Sequence, residues 1–426
     1  MKPRAWVLLL AAVFALLQLA NVTGRDTPDT KNYLSYALSL RGETKREAAA
    51  TTIDYACAGE ATRASRYQSV DVLRFRGPSP AARVTTECRA ATWREVEARL
   101  RAGQTGGHTL PFMSERFMRI FEVRPGYPVL LIPFLTVFGV PWGMWAAGVV
   151  VTVAGGVLVF LILRTQRVPV PIALTGQALY CVLPCGTTAM RPMTEGLLLA
   201  LTLAAVWGCA LVLDGHRRCG VALVGGALLA LFTVKHSQAL FLGLSLAAAG
   251  TVIAVRRWAL RRPPERGVLA ITAVACCAVV GTLLTARALH YPGDTDSLQD
   301  LLTNHYALPD RAHPWQELLR LEGNFWLEWL RRQLWQPLFA ALLAAGAWGA
   351  LRRRRAFGAF VVAAAFTGIL TQAAHPDISV WGERLIVMAW LLPVVGVPLL
   401  LDRVVPRPAT GAPIPRPASE HSRLTR

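Results

Sequence analysis

Apolar and polar residues do not alternate along most of this chain; they separate into blocks. Runs almost free of charge at 5–24, 142–163, 168–184, 196–213, 219–234, 236–255, 267–286, 333–351, 356–374 and 385–401 are divided by short clusters rich in arginine. A helix needs about 20 apolar residues to cross a ~30 Å hydrocarbon layer, so these runs predict an all-α polytopic membrane protein with about ten transmembrane helices. The first run also suits a signal peptide, but it lacks a convincing small-x-small cleavage site, and more spans follow it.

The polar block 21–127 reads as a long first extracytoplasmic loop carrying juxtamembrane helices. Within it, Trp93, Val96 and Leu100 recur at helical spacing, and Gly77, Pro78 and Pro80 interrupt the helical stretches. The stretch 127–140 is apolar but makes only ~21 Å of helix, and it contains Pro128, Pro133 and Gly139, so it reads as a re-entrant or interfacial helix leading into the second span. A second long loop, 287–332, holds Trp315, Trp326 and Trp329 with Asp294, Asp296 and Asp300. It suits an interfacial belt, with a lid over a substrate as the alternative. The membrane domain thus covers 1–401, and 402–426, Pro-rich and basic, reads as a disordered cytoplasmic tail.

Charge orients these segments. If all ten cross in alternation, one side receives seventeen basic residues in short connections, among them Lys2, Arg4, Arg217, Arg218 and 352–355. The other side receives Arg191, Lys235 and Arg384. The positive-inside rule then places both termini in the cytoplasm of a multi-pass cell-membrane protein. Counting 127–140 as a full span would put basic clusters on alternating sides.

Composition agrees: 54% of the 426 residues are hydrophobic and 17% charged, against about 25% charged in soluble proteins. The net charge of +19 is accounted for by the loop arginines. No stacking platform or basic stripe accompanies it, so a nucleic-acid partner is not expected. Four of the 45 basic residues are lysine, which with the Ala, Arg and Gly bias points to a GC-rich bacterial genome. Six of the eight cysteines lie in or beside apolar runs; Cys57 and Cys88 share the first outer loop and are a candidate disulfide. No His/Cys spacing suits zinc, and no phosphate-binding glycine loop is present.

The chemistry-bearing residues gather where helices leave the bilayer on the outer side. Asp26, Asp29 and Tyr33 follow the first span; Arg124 and Tyr127 precede the second; Glu195, Lys235, His236, His375, Asp377, Glu383 and Arg384 sit at later helix ends. Asp29 and Tyr33 are four apart and face one side of a helix, although Asp29 also has the position of an N-cap. Glu195 is equally a dipole-favoured charge at a helix start, and Lys235 a residue snorkelling to the interface. Three cations kept at the outer side against the general bias, beside acids, suggest an anionic ligand.

Asp29-Thr30-Lys31-Asn32-Tyr33 resembles the acid-x-x-x-Tyr motif after the first span of the GT-C membrane glycosyltransferases, which include protein O-mannosyltransferases, the lipid A aminoarabinose transferase and bacterial mannosyltransferase-like proteins. Arg124-Pro125-Gly126-Tyr127-Pro128 is similar to their juxtamembrane helix, Met193-Thr194-Glu195-Gly196 to the acid-bearing start of their fourth span, and Thr233-Val234-Lys235 to a Thr/Lys step at the end of their fifth. Glu383-Arg384-Leu385 resembles their late arginine motif, without its usual Arg-Tyr and proline spacing. The resemblance spans 1 to about 400.

It implies a glycosyltransferase using a polyprenyl-phosphate-linked sugar at the extracytoplasmic face, embedded in membrane lipid and needing no cofactor. Asp29 would be general base, with Asp26 competing for that role and Glu195 a second acid. Arg384, Lys235 and Arg124 would hold the donor phosphate, and Tyr33 and Tyr127 would line the substrate pocket. A transporter or flippase of lipid-linked envelope precursors, or a non-catalytic envelope scaffold, are the alternatives. The first is disfavoured by the lack of a clear internal repeat and of charges within the spans.

Overall fold

The computed structural model describes residues 2–378 and 384–404, which are helical with no strand among them. The helices are α1 (Pro3–Gln18), α2 (Thr30–Leu40), α3 (Lys45–Val70), α4 (Ala81–Arg101), α5 (Glu115–Glu122), α6 (Gly126–Thr165), α7 (Val170–Val182), α8 (Pro184–Ala189), α9 (Thr194–Leu213), α10 (Arg217–Ala259), α11 (Arg266–Ala288), α12 (Asp294–Leu302), α13 (Pro314–Trp335), α14 (Leu338–Arg353), α15 (Arg355–Ala373) and α16 (Leu391–Val404). Short 3-10 turns, Leu19–Asn21 and Leu385–Trp390, close α1 and open α16.

Seven helical segments are long and apolar enough to cross a membrane, or eight if the bent pair α13 and α14 is one span. That is fewer than the ten expected, for three local reasons. First, α7 has 13 residues, ~20 Å, short of a full crossing. Second, α13 and α14 meet at 89°, so the apolar run expected to start at 333 is broken near Pro337. Third, α10 counts once although its backbone leaves helical geometry at Lys235 (φ −163°, ψ 98°). Gly225 and Gly250 of α10 face Val274 and Thr272 of α11, two positions apart. A straight helix would separate those glycines by roughly 37 Å, so α10 doubles back at Lys235 as a helical hairpin.

α6 behaves similarly. Gly139 adopts φ +69°, open to glycine and costly for other residues, and breaks the helix. Beyond it, Gly143 faces the Phe134 carbonyl so closely that a Cβ there would lie 2.7 Å from that oxygen. The stretch 126–138 therefore folds back on the segment that follows it.

The bundle has two chemically distinct ends. At one, Arg353 pairs with Asp402 at 2.5 Å and donates to the Gln166 carbonyl, while Arg354 and Arg167 approach Asp214 at 3.6 and 3.8 Å. At the other, α2 to α5 form a helical cap. There Cys57 and Cys88 form a disulfide between α3 and α4, with Cα atoms 5.6 Å apart. The Lys45 ammonium donates to the Gly107 and Thr109 carbonyls, and Glu122 accepts from the Thr109 N–H and hydroxyl. Residues 405–426, which hold most of the tail, and Glu383 lie outside the described residues.

Candidate functional site

The cap end brings together residues that are remote in sequence. Thr30 begins α2, and its hydroxyl donates to the Pro192 carbonyl at 3.0 Å, in a buried contact. This bond ties the start of α2 to the turn before α9 and sets Asp29 beside Glu195. The Arg384 guanidinium then bridges the two acids: Nη2 pairs with Asp29 Oδ2, and Nε donates to Glu195 Oε1 at 3.2 Å. The Glu195 side chain is 5% exposed and that of Asp29 20%.

Asp29 occupies the N-cap position of α2, yet its side chain makes no capping hydrogen bond. The carboxylate goes to Arg384 instead, which removes the simple capping explanation for an acid here. Glu195 lies in the first turn of α9 and benefits from the helix dipole, and it also receives the Thr194 hydroxyl at 3.2 Å and Arg384. The two roles are compatible. Lys235, half-buried at the fold of the α10 hairpin, lies close enough to Glu195, Arg384 and Asp29 to feel their charges. Gly126 abuts Thr233 and Val234, so the start of α6 is seated directly on the step before Lys235.

Asp26 is not part of this cluster. Its carboxylate pairs with Arg63 of α3 at 2.5 Å and rests on Gly59, where any Cβ would collide with it. It links the exit of α1 to the cap, because the register of α3 places an arginine against it.

Tyr33 and Tyr127 form an aromatic wall. The Tyr33 ring meets Phe121 at 5.3 Å and Tyr127 at 5.4 Å, both edge-on, and Arg124 lies 5.9 Å from the Phe121 ring. Burial pushes the Tyr33 phenol above its ordinary pKa, opposed by the nearby Arg124 guanidinium. Tyr33 stays a neutral donor at physiological pH. Its hydroxyl and the Arg124 Nε are buried and make no well-formed hydrogen bond within the described residues. The two groups face each other, close enough for the guanidinium to act on the phenol oxygen.

Two cavities lie near the hairpin fold. A polar one of about 220 Å³ is lined by Arg116, Arg119, His290, Tyr291, Asp296 and Tyr306. An apolar groove of about 490 Å³ lies between α10 and α11, lined by residues such as Leu228, Leu229, Phe232, Val274, Cys277 and Gly281. Tyr291 joins them: its ring stacks on Phe232 at 5.8 Å and meets His236 at 5.3 Å, one residue from Lys235.

Several participants were not singled out by sequence reasoning. Gln238 donates to the Thr367 hydroxyl and accepts from Thr371, both at 3.1 Å, fastening the second half of α10 to α15 below the site. His375, which the sequence did single out, is lowered in pKa by burial and by Lys235, which places it near the same charges. Arg116 holds Asp310 and Asp296 at 2.8 and 3.0 Å and so fixes the 287–332 loop over α5. Lone polar residues in apolar runs, such as Gln238, were the one available signal. Among the described residues no group of His, Cys, Asp and Glu is arranged to hold a metal ion. No family model matches this chain, and no curated protein or solved structure matches it either.

Proposed function

We propose that this chain is a membrane glycosyltransferase that moves a sugar from a polyprenyl-phosphate donor to an acceptor hydroxyl at the extracytoplasmic face. The observation that carries the reading is the convergence of Asp29, Glu195, Arg384 and Lys235 from four distant stretches; a polar cavity and an apolar groove lie nearby, reached from Lys235 through the contact of its neighbour His236 with Tyr291. A prenyl-phosphate sugar presents those same three chemistries in sequence: an apolar tail, an anion and a polyol.

In this reading the groove between α10 and α11 takes the prenyl chain, and Lys235 and Arg384 take the phosphate, with Arg124 assisting. The phosphate leaves as the acceptor oxygen attacks the anomeric carbon, and Asp29 takes the proton from that hydroxyl. Fixed cations stabilise the departing phosphate in a water-poor site. In the ligand-free arrangement Arg384 is shared by Asp29 and Glu195. A donor phosphate competes for Arg384 and frees the Asp29 carboxylate to accept a proton, so binding and base activation are coupled through one guanidinium. Glu195 keeps Arg384 positioned during that exchange.

The topology that goes with this function has ten crossings: the α10 hairpin supplies two, short α7 crosses with α8 continuing its path, and both termini are cytoplasmic. The basic end of the bundle is then cytoplasmic and the Asp29 cluster extracytoplasmic, as the charge bias of the connections requires. The test is to incubate purified protein in lipid nanodiscs with a labelled polyprenyl-phosphate hexose and solubilised envelope glycoconjugates. Transfer of label out of the prenyl-phosphate pool supports the reading. Movement of intact donor across a bilayer without cleavage identifies a flippase instead.

A further inference from the structure

We propose that the tip of the α3–α4 hairpin is a lipid-binding surface that rests in the headgroup layer of the bilayer crossed by α1. The proposal rests on α1 being a span and is independent of the transferase reading. Its first support is direction. Along α3, Gly59 and Arg63 meet Asp26, Thr62 faces Gly24, and Arg66 bonds the Asn21 side chain. As α3 proceeds, its partners run backwards along the segment by which the chain leaves α1. The helix therefore descends towards the membrane.

It continues one turn past Arg66, ~5 Å, to Val70. That carries the turn 71–79 to the level of Leu16, Leu17 and Leu19, which α1 presents outward, Leu17 at 67% exposure. The second support is what the tip displays at that depth. Tyr67, Val70, Val72, Leu73 and Phe75 all point outward, Leu73 at 92% exposure. A soluble surface rarely gathers so many large apolar groups in one place.

The turn is built to hold them there. The Asp71 carboxylate accepts from the Leu73 and Arg74 N–H groups at 2.8 and 3.1 Å, and the Gln68 amide donates to the Arg74 and Pro78 carbonyls. The Cys57–Cys88 disulfide fixes the two helices behind it. Among the described residues neither Arg74 nor Arg76 is paired with a carboxylate, and Arg76 lies over the Phe75 ring at 5.3 Å. Aromatic and aliphatic groups flanked by unpaired arginines suit an interface bearing anionic lipid. The hairpin thus anchors the cap, and through Arg63–Asp26 the segment leading to Asp29, at a set height above the membrane.

The test uses a fluorophore at Leu73→Cys, with Val72→Cys as a second site and Glu87→Cys on α4 as a control. Cys181, Cys219, Cys276 and Cys277 are replaced, and the protein is held in nanodiscs of phosphatidylcholine with or without phosphatidylglycerol. Headgroup-region nitroxide lipids should quench the label at 73 or 72 but not at 87, and aqueous iodide should quench it less than at 87 by about threefold or more. Phosphatidylglycerol should strengthen the lipid quenching, and Arg74→Gln with Arg76→Gln should remove that gain. A tip label quenched by iodide and untouched by nitroxide lipid overturns the proposal. A label shielded from both also overturns it, because a protein contact then covers the tip.

Discussion

Arg384 holds two carboxylates at once, and that sharing sets what each can do. Removing the guanidinium leaves two acids facing each other in a poorly hydrated site. Arg384→Gln should therefore destabilise the protein, on the order of 3 kcal/mol before allowance for solvent screening of these partly exposed groups. Asp29→Asn leaves the Arg384–Glu195 pair intact and should cost much less. Thermal unfolding of the two variants in the same nanodiscs checks this; equal midpoints would show that the bridge is not an energetic unit. The three residues were legible in the sequence as charges at helix ends. That one arginine joins the two acids was not, because the Thr30–Pro192 contact that aligns them involves no distinctive residue type. Asp26 and Asp29 were alike by position alone; the structure gives each its own arginine, Arg63 for Asp26 and Arg384 for Asp29.

At the scale of elements, the site depends on how helices turn. Gly126 packs on Thr233 and Val234, and a Cβ there would come within 3.0 Å of the Thr233 backbone. Gly126→Ala should push the α6 start away from the hairpin fold, cost roughly 1–3 kcal/mol, and weaken function through Lys235. An unchanged melting temperature in that variant would mean that the contact yields freely. The loop above α5 carries a pH-sensitive tie. His305 donates to Asp300 at 3.0 Å, and that hydrogen bond raises the imidazole above its ordinary value. Its contribution is fully present below the unfolded value of about 6.5 and is lost as pH rises through the raised folded value. Amide exchange in 300–306 should thus be slower at about pH 5.5 than at about pH 8.5 after correction for intrinsic rates, and His305→Gln should abolish the difference. The helices themselves were legible from their apolar runs. The doubling back of α6 and α10 was written in Gly139 and in Lys235, an isolated charge in an apolar stretch. The 89° bend between α13 and α14 and the shortness of α7 fall at Pro337 and before Pro184, breakers that the apolar runs alone masked.

For the molecule as a whole, the account joins a basic end, a bundle and a capped polar end into one oriented device. Reporter fusions at Arg262 and Arg354 should read cytoplasmic, and a fusion at Gly323 external; the opposite result at two of these sites would reverse the orientation. The central claim is that Asp29 removes a proton from the acceptor while Lys235 and Arg384 hold the donor phosphate. The measurement that tests it most directly is donor affinity and single-turnover transfer, read together on wild type, Asp29→Asn and Lys235→Ala with a labelled polyprenyl-phosphate sugar. The account predicts that Asp29→Asn binds donor at least as well as wild type, since Arg384 is released, while its transfer rate falls by ~10²–10⁴-fold. Lys235→Ala should lose both affinity and rate. Near wild-type transfer by Asp29→Asn, or a wild-type protein that neither binds nor cleaves the donor, would contradict it.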